Sequence, residues 1–310
     1  MTGHLLLLFL GGAFIYVGAE GLVWGGSKLA HRFKVSPIVI GLSVVAFGTS
    51  LPEFTVSLYS TFNDMQDIAI GNITGSNIAN IALILAISAI IFPISSRYAE
   101  VRKDLYVVIL ITALFMLLAA DGLLSRVDGG LLVAGMAAYL YRLVKSSRVE
   151  TEISPDRFGL SHYFSALVLG LAILVWGTNI FTNSAIYIAQ LFHVPELVIG
   201  ATIVAVGTSL PELATSLVAA FRKESGIVLG NILGSNVFNL MAVLGVIPLI
   251  KPVTVARDAI TLQMPLMLAL LVLLIPVLKY SGGVSRGVGL FLLAIYITFT
   301  IYIYSRGVTP

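Results

Sequence analysis

Two stretches of the chain hold a carboxylate where apolar sequence would be expected. Residues 48–53 read GTSLPE, and the same six letters return at 207–212, each inside an apolar run long enough to cross a bilayer. A charged side chain at the centre of such a run costs roughly 2.5–3.5 kcal/mol on insertion scales, so Glu53 and Glu212 point to function rather than packing. Pro52 and Pro211 stand beside them. Proline has no N–H and its ring displaces the preceding turn, which predicts carbonyls around Ala46–Thr49 and Ala205–Thr208 that lack helical partners. At membrane depth such carbonyls are tolerated where they line a cavity or meet a partner. A hard cation is such a partner: Ca²⁺ takes about 6–8 oxygen ligands from carboxylates, amides and backbone carbonyls. Thr49 and Ser50 share the Glu53 side of a helix and add hydroxyls, as Thr208 and Ser209 do beside Glu212.

A second motif follows each of these. Residues 71–80 read GNITGSNIAN and residues 230–239 read GNILGSNVFN. Asn72, Ser76 and Asn80 recur every four residues and form one polar stripe on a helix; Asn231, Ser235 and Asn239 do the same. Gly71 and Gly75 allow a neighbouring backbone to come close. Every donor in the set is oxygen, which selects hard ions such as Ca²⁺, Na⁺ or Mg²⁺ over zinc or copper. The chain has no cysteine, and His4, His31, His162 and His193 fall near span ends without clustering, which argues against a metal hydrolase. No nucleophile is paired with a base at membrane depth, so an enzyme is not expected, nor a cofactor. Glu20 corresponds to Asn179, has no breaker nearby and is placed outside the ion shell. Asp64, Asp67, Glu150, Glu152 and Asp156 fall in loops and read as solvated. Trp24 and the tyrosines read as interfacial anchors.

The elements that position these groups must span a membrane. Of 310 residues, 58% are hydrophobic and 11% charged, and the mean hydropathy is +1.02, which excludes a water-soluble domain. Ten apolar stretches fit spanning helices: 4–27, 37–61, 68–92, 104–120, 129–146, 160–190, 195–220, 226–249, 257–278 and 287–305. Alternating strands with long polar loops are missing, so an all-α polytopic membrane protein is expected rather than a barrel. The amino-terminal apolar run lacks a basic segment and cleavage site and reads as a retained span. The net charge of +3 resides in short loops, not in a nucleic-acid-binding stripe. Loops after spans 1, 3, 5, 7 and 9 hold fourteen Lys and Arg, the opposite side four (Arg126, Lys251, Arg257 and Arg306). That imbalance places the protein in the cell membrane with both termini outside the cytoplasm.

Residues 41–58 align with 200–217, and 71–81 with 230–240, at a constant offset of 159 that extends from Val35/Val194 to Pro93/Pro252. One five-helix unit is present twice. An odd number of spans turns the second copy upside down, giving inverted repeats whose interrupted segments meet near the midplane. The expected organisation is a first repeat over 1–145, a cytoplasmic linker over 146–158 that includes Arg148 and Arg157, and a second repeat over 159–310.

Paired GTSLPE and GNxxGSNxxN motifs resemble the α-repeats of the cation/Ca²⁺ exchanger superfamily over nearly the whole chain. The resemblance implies ten spans, with broken helices 2, 3, 7 and 8 around a central ion site and spans 1 and 6 as a long pair that slides across it. Carried over by position, it implies Ca²⁺ ligands at Glu53 and Glu212 and at the carbonyls of Thr49 and Thr208. Flanking cation positions fall at Ala46, Ser50, Ser76, Ala205, Ser209 and Ser235, and Asn80 and Asn239 line the middle. Archaeal sodium-coupled members carry aspartate where this chain has Asn239. The site is left with two carboxylates, which two protons neutralise as well as one Ca²⁺ does, so Glu53 and Glu212 are expected to carry protons in Ca²⁺/H⁺ exchange. Proton-coupled members typically carry GNxxE, which GNITG and GNILG lack, and Na⁺/Ca²⁺ exchange stays open. A passive cation channel is the reading from another class. A monomer in the lipid bilayer, with no nucleic-acid partner, is expected.

Overall fold

The computed structural model describes residues 2–146, 159–194 and 205–307. Residues 147–158 of the expected linker, with Arg148, Glu150, Glu152, Asp156 and Arg157, and the first part of span 7 (195–204) lie outside the described residues. The first half of the chain forms α1 (Thr2–Phe33), the bent pair α2 (Pro37–Thr49) and α3 (Leu51–Phe62), α4 (Gln66–Ile91), α5 (Tyr98–Leu118) and α6 (Arg126–Ser146). The second forms α7 (Leu160–Leu191), α8 (Ala205–Thr208), α9 (Leu210–Phe221), α10 (Ser225–Ile250), α11 (Ala259–Ser281) and α12 (Arg286–Gly307).

Among the described residues, seven helices are long and apolar enough to cross a membrane, or eight if α2 and α3 count as one bent span. Two further helices occupy the places of spans 4 and 7. α5 is charged at its start, with Glu100, Arg102, Lys103 and Asp104, and α9 is the described remainder of its span.

α4 and α10 form the centre: 78% and 83% of their apolar windows are buried, against 28% for α1, α6, α7 and α11. Their interruption takes the form of π-helical segments, Asn80–Leu85 and Phe238–Val243, rather than bends. The wider turn falls at Asn80 and Asn239, as π-bulges often do at functional positions.

The 32-residue helices α1 and α7 lie against each other along a glycine seam. A Cβ on Gly18 would stand 2.4 Å from the backbone nitrogen of Leu174, and one on Gly170 would stand 2.5 Å from that of Leu22. Only hydrogen in place of a side chain permits this approach.

Four two-residue strands join the halves: β1 (Ile94–Ser95), β2 (Leu123–Leu124), β3 (Val253–Thr254) and β4 (Gly283–Val284). β1 pairs with β4 and β2 with β3, both antiparallel. An offset of 159 carries β1 onto β3 and one of 160 carries β2 onto β4, so each pairing is the other with the repeats exchanged. Such reciprocity is the mark of a two-fold relation.

Candidate ion site

Each GTSLPE segment forms a joint between two helices. The first breaks at Ser50 (φ −83°, ψ 3°), where α2 and α3 bend by 42°, and the second at Ser209 (φ −91°, ψ 6°). Pro52 and Pro211 lie in the opening turn of the new helix, where a missing N–H leaves no bond unmade. The expectation of stripped carbonyls is corrected at Ala46, whose oxygen accepts the Ser50 N–H at 3.1 Å. The chain turns at the serine, so the bond one turn before it survives. Glu53 and Glu212 lie in the first turns of α3 and α9, where the free N–H groups of a helix start favour negative charge.

The two carboxylates are 1% exposed and are held across the repeats. Ser209 donates to Glu53 Oε1 at 3.1 Å, and Ser50 donates to Glu212 Oε1 at 3.3 Å. Each serine belongs to the joint that carries the other glutamate. Ser76 adds a bond to Glu53 Oε1 at 3.5 Å and lies 3.4 Å from Ser209. Thr49 is wholly buried and donates to Asn231 Oδ1 at 3.1 Å, with Ser235 at 3.5 Å. Thr208 is buried, and Ala205 opens the described part of span 7.

The asparagines divide into two kinds. Asn72 donates to the Glu53 carbonyl (3.2 Å) and Ser57 (2.9 Å), and Asn231 donates to the Glu212 carbonyl (3.3 Å) and Ser216 (3.1 Å). These two brace the joint of their own repeat. Asn80 donates to Asn236 Oδ1 and Asn239 to Asn77 Oδ1, both at 2.9 Å. Asn77 and Asn236 were not singled out by the four-residue stripe because each stands one position after its serine. Their signal was in the alignment, where both are asparagine at the offset of 159.

Among the described residues, the buried carboxylate and amide oxygens without a hydrogen-bond partner are Glu53 Oε2, Glu212 Oε2, Asn80 Oδ1 and Asn239 Oδ1. One comes from each of the four motifs. A buried polar group left unsatisfied costs about 1–3 kcal/mol, and a cation is the partner that acceptors alone, with no donor among them, would serve. No group of three or more His, Cys, Asp or Glu side chains gathers among the described residues, so neutral oxygens must complete any such shell.

Other charged groups lie elsewhere. Glu20 of α1 pairs with Arg222, and Ser27 donates to Glu224, so α1 is fastened to the loop between α9 and α10. At the offset of 159 the corresponding positions are Asn179 with Asn63 and Ile186 with Met65, which cannot form an ion pair. Asp64 is solvated, as expected, with its side chain 79% exposed, and it accepts from Lys251 at 2.5 Å. Trp24 packs edge-on against buried Tyr163, at 5.3 Å between ring centres, rather than serving only as an interfacial anchor. A cavity of about 810 Å³ is lined by Ser36, Phe92, Glu100, Phe221 and the Ser27 partner Glu224, and by none of the motif serines or glutamates.

Two repeats that exchange bonds between buried carboxylates, hydroxyls and amides in a membrane-spanning helical fold fit an ion-exchanging transporter. The chain belongs to the sodium/calcium exchanger protein family, whose profile matches residues 3–145 and 162–305, one segment per repeat. It is 30% identical to the sodium/calcium exchanger MaX1 of Methanosarcina acetivorans, over 98% of this chain and 99% of that protein. It is 34% identical to the inner membrane protein YrbG of Escherichia coli (strain K12), over 96% of each. Its fold matches the sodium-calcium exchanger NCX_Mj, soaked with Na⁺ and Ca²⁺, with a TM-score of 0.85 and 34% identity over 95% of this chain and 96% of that one. The protein is thus a multi-pass membrane antiporter of the cation/Ca²⁺ exchange class, and not an enzyme.

Proposed function

We propose that this antiporter moves Ca²⁺ by alternating access, binding it between Glu53 and Glu212 and exchanging it there for protons. The observation that carries the reading is the set of four unpartnered buried oxygens, two of them carboxylate, supplied by the four motifs. Two carboxylates balance one Ca²⁺, and two protons balance them equally. Left bare, the pair resists being carried through a low-dielectric path, because an uncompensated buried charge costs several kcal/mol. Movement therefore follows neutralisation, which couples the two fluxes. Glu53, Glu212, Asn80 and Asn239 would hold the ion, with the carbonyls of Thr49 and Thr208. Ala46, Ser50, Ser76, Ala205, Ser209 and Ser235 would flank it.

A specific observation favours Na⁺ as the counter-ion: MaX1 and NCX_Mj, matched over almost their full lengths, are named sodium/calcium exchangers. In that reading the flanking hydroxyls and carbonyls take the monovalent ions. For orientation, the Lys and Arg imbalance supports termini outside the cytoplasm, with the linker over 146–158 inside. The deciding experiment is ⁴⁵Ca²⁺ uptake into proteoliposomes under an imposed pH gradient or an imposed Na⁺ gradient, with ionophores clamping the voltage. Uptake driven by the pH gradient alone supports the proton; uptake driven only by Na⁺ replaces it. Uptake that needs neither gradient would identify a passive channel and remove the antiport mechanism.

A further inference from the structure

We propose that Asn77 and Asn236 are positioning residues of the ion site: each turns the amide of the facing repeat's asparagine so that its oxygen, and not its NH₂, is presented to the ion. The inference rests on the reading of the four unpartnered oxygens as ion ligands. An asparagine amide has an acceptor on one side and two donors on the other, in nearly the same shape. Turned one way, Asn239 offers a cation an oxygen; turned the other way, it offers two N–H groups.

The bonds around Asn77 decide the sense. Its Nδ2 donates to the main-chain carbonyl of Asn236 at 3.5 Å, and a carbonyl can only accept. Asn77 Oδ1 is left as an acceptor, so Asn239 must bring its Nδ2 to it, at 2.9 Å, and turn Oδ1 away. The mirror set runs through the other repeat. Asn236 Nδ2 donates to the Asn77 carbonyl at 3.5 Å, and its Oδ1 accepts from Asn80 Nδ2 at 2.9 Å. Asn77 and Asn236 are both 0% exposed, so water cannot stand in for either bond. The oxygens left over, Asn80 Oδ1 and Asn239 Oδ1, are two of the four unpartnered ones. Two main-chain carbonyls at the crossing of α4 and α10 thus set the direction of four amides.

The test is equilibrium ⁴⁵Ca²⁺ binding to the full-length purified protein, comparing Asn77→Leu in two backgrounds. Leucine keeps the shape and removes all three side-chain bonds, to the Asn236 carbonyl, to Met267 Sδ and from Asn239, and by releasing Asn239 it should raise the Kd about tenfold, the equivalent of one neutral hydrogen bond. A carboxylate at 239 presents an oxygen whichever way it turns. In the Asn239→Asp background the same change should therefore move the Kd by no more than about twofold. An equal fold-change in both backgrounds would mean that Asn77 acts through packing alone, and would overturn the proposal. Should Asn77→Leu fail to fold, Asn236→Leu with and without Asn80→Asp asks the same question from the other repeat. Glu212→Gln serves as the control. If it binds Ca²⁺ as the parent does, the reading of the site has failed; if it loses binding while Asn77→Leu keeps the parent's Kd, only the positioning role has failed.

Discussion

Glu53 and Glu212 are held by serines of the opposite repeat, which makes the coupling between side chains testable one bond at a time. Glutamine in place of either glutamate keeps the shape and can still accept from the serine, but the site then carries one charge against the two of Ca²⁺. Glu53→Gln and Glu212→Gln should each lower ⁴⁵Ca²⁺ uptake by about a hundredfold or more, in line with the 3–5 kcal/mol lost when one partner of a buried charge pair is removed. Near-parental uptake in both would defeat the mechanism. The serines should act across the repeats: Ser209→Ala should raise the KM for Ca²⁺ about tenfold, in proportion to a charge-assisted hydrogen bond. In a double-mutant cycle, Ser209→Ala should couple to Glu53→Asp more strongly than to Glu212→Asp, although Glu212 is its neighbour in the chain. Equal coupling would show that the crossed bonds carry no weight.

The helices divide the work between packing and closure. Along α1 and α7, backbone approaches backbone, and overpacking such a contact typically costs about 1–3 kcal/mol. Gly18→Ala should lower the thermal midpoint of the purified protein, whereas Gly3→Ala, with open space at its Cβ, should leave it unchanged. Equal midpoints for the two would mean the seam is not tight. The fastening of α1 to the α9–α10 loop works on a smaller energy. Glu20 and Arg222 have side chains 20% and 38% exposed, and partly exposed ion pairs contribute about 0.2–1 kcal/mol. Val218 on α9 is 6% exposed, while Tyr59, its counterpart on α3, is 65% exposed, so the two repeats are covered unequally at this position. Glu20→Gln should therefore shift the balance between access states about fivefold or less, read as a change in KM for Ca²⁺ with kcat retained. A loss of kcat comparable to that of Glu212→Gln would instead place Glu20 in the ion path.

For the molecule as a whole, the binding of Ca²⁺ and the binding of protons are linked. Protons and Ca²⁺ compete for the same carboxylates, so lowering the pH should raise the Kd for Ca²⁺, and Ca²⁺ binding should release protons. Calorimetry in buffers of different ionisation enthalpy counts them. Release of about two protons per Ca²⁺ near neutral pH agrees with proton exchange, while release near zero, with Na⁺ competing for the site, agrees with sodium exchange. The two-fold relation adds a constraint, since the serine–glutamate, asparagine–joint and asparagine–asparagine bonds each have a counterpart in the other half. The fastening at Glu20 has none, so matched substitutions should agree in the centre and differ at the α9–α10 loop.

Much of this was already present in the order of residues. Membrane location and the duplication follow from hydropathy and a constant offset, because lipid imposes one pattern on any helix that crosses it. GTSLPE also marked the joint, since proline beside glutamate in an apolar run has few other uses. Which groups bond across the joint was not written there. Ser209 and Glu53 are 156 residues apart and Ser50 and Glu212 are 162 apart, so their meeting depends on the register in which the two repeats cross. That register leaves no period in either strand of sequence. The same holds for Asn77 and Asn236, two asparagines among several until the carbonyls opposite them determine which end of each amide must turn inward.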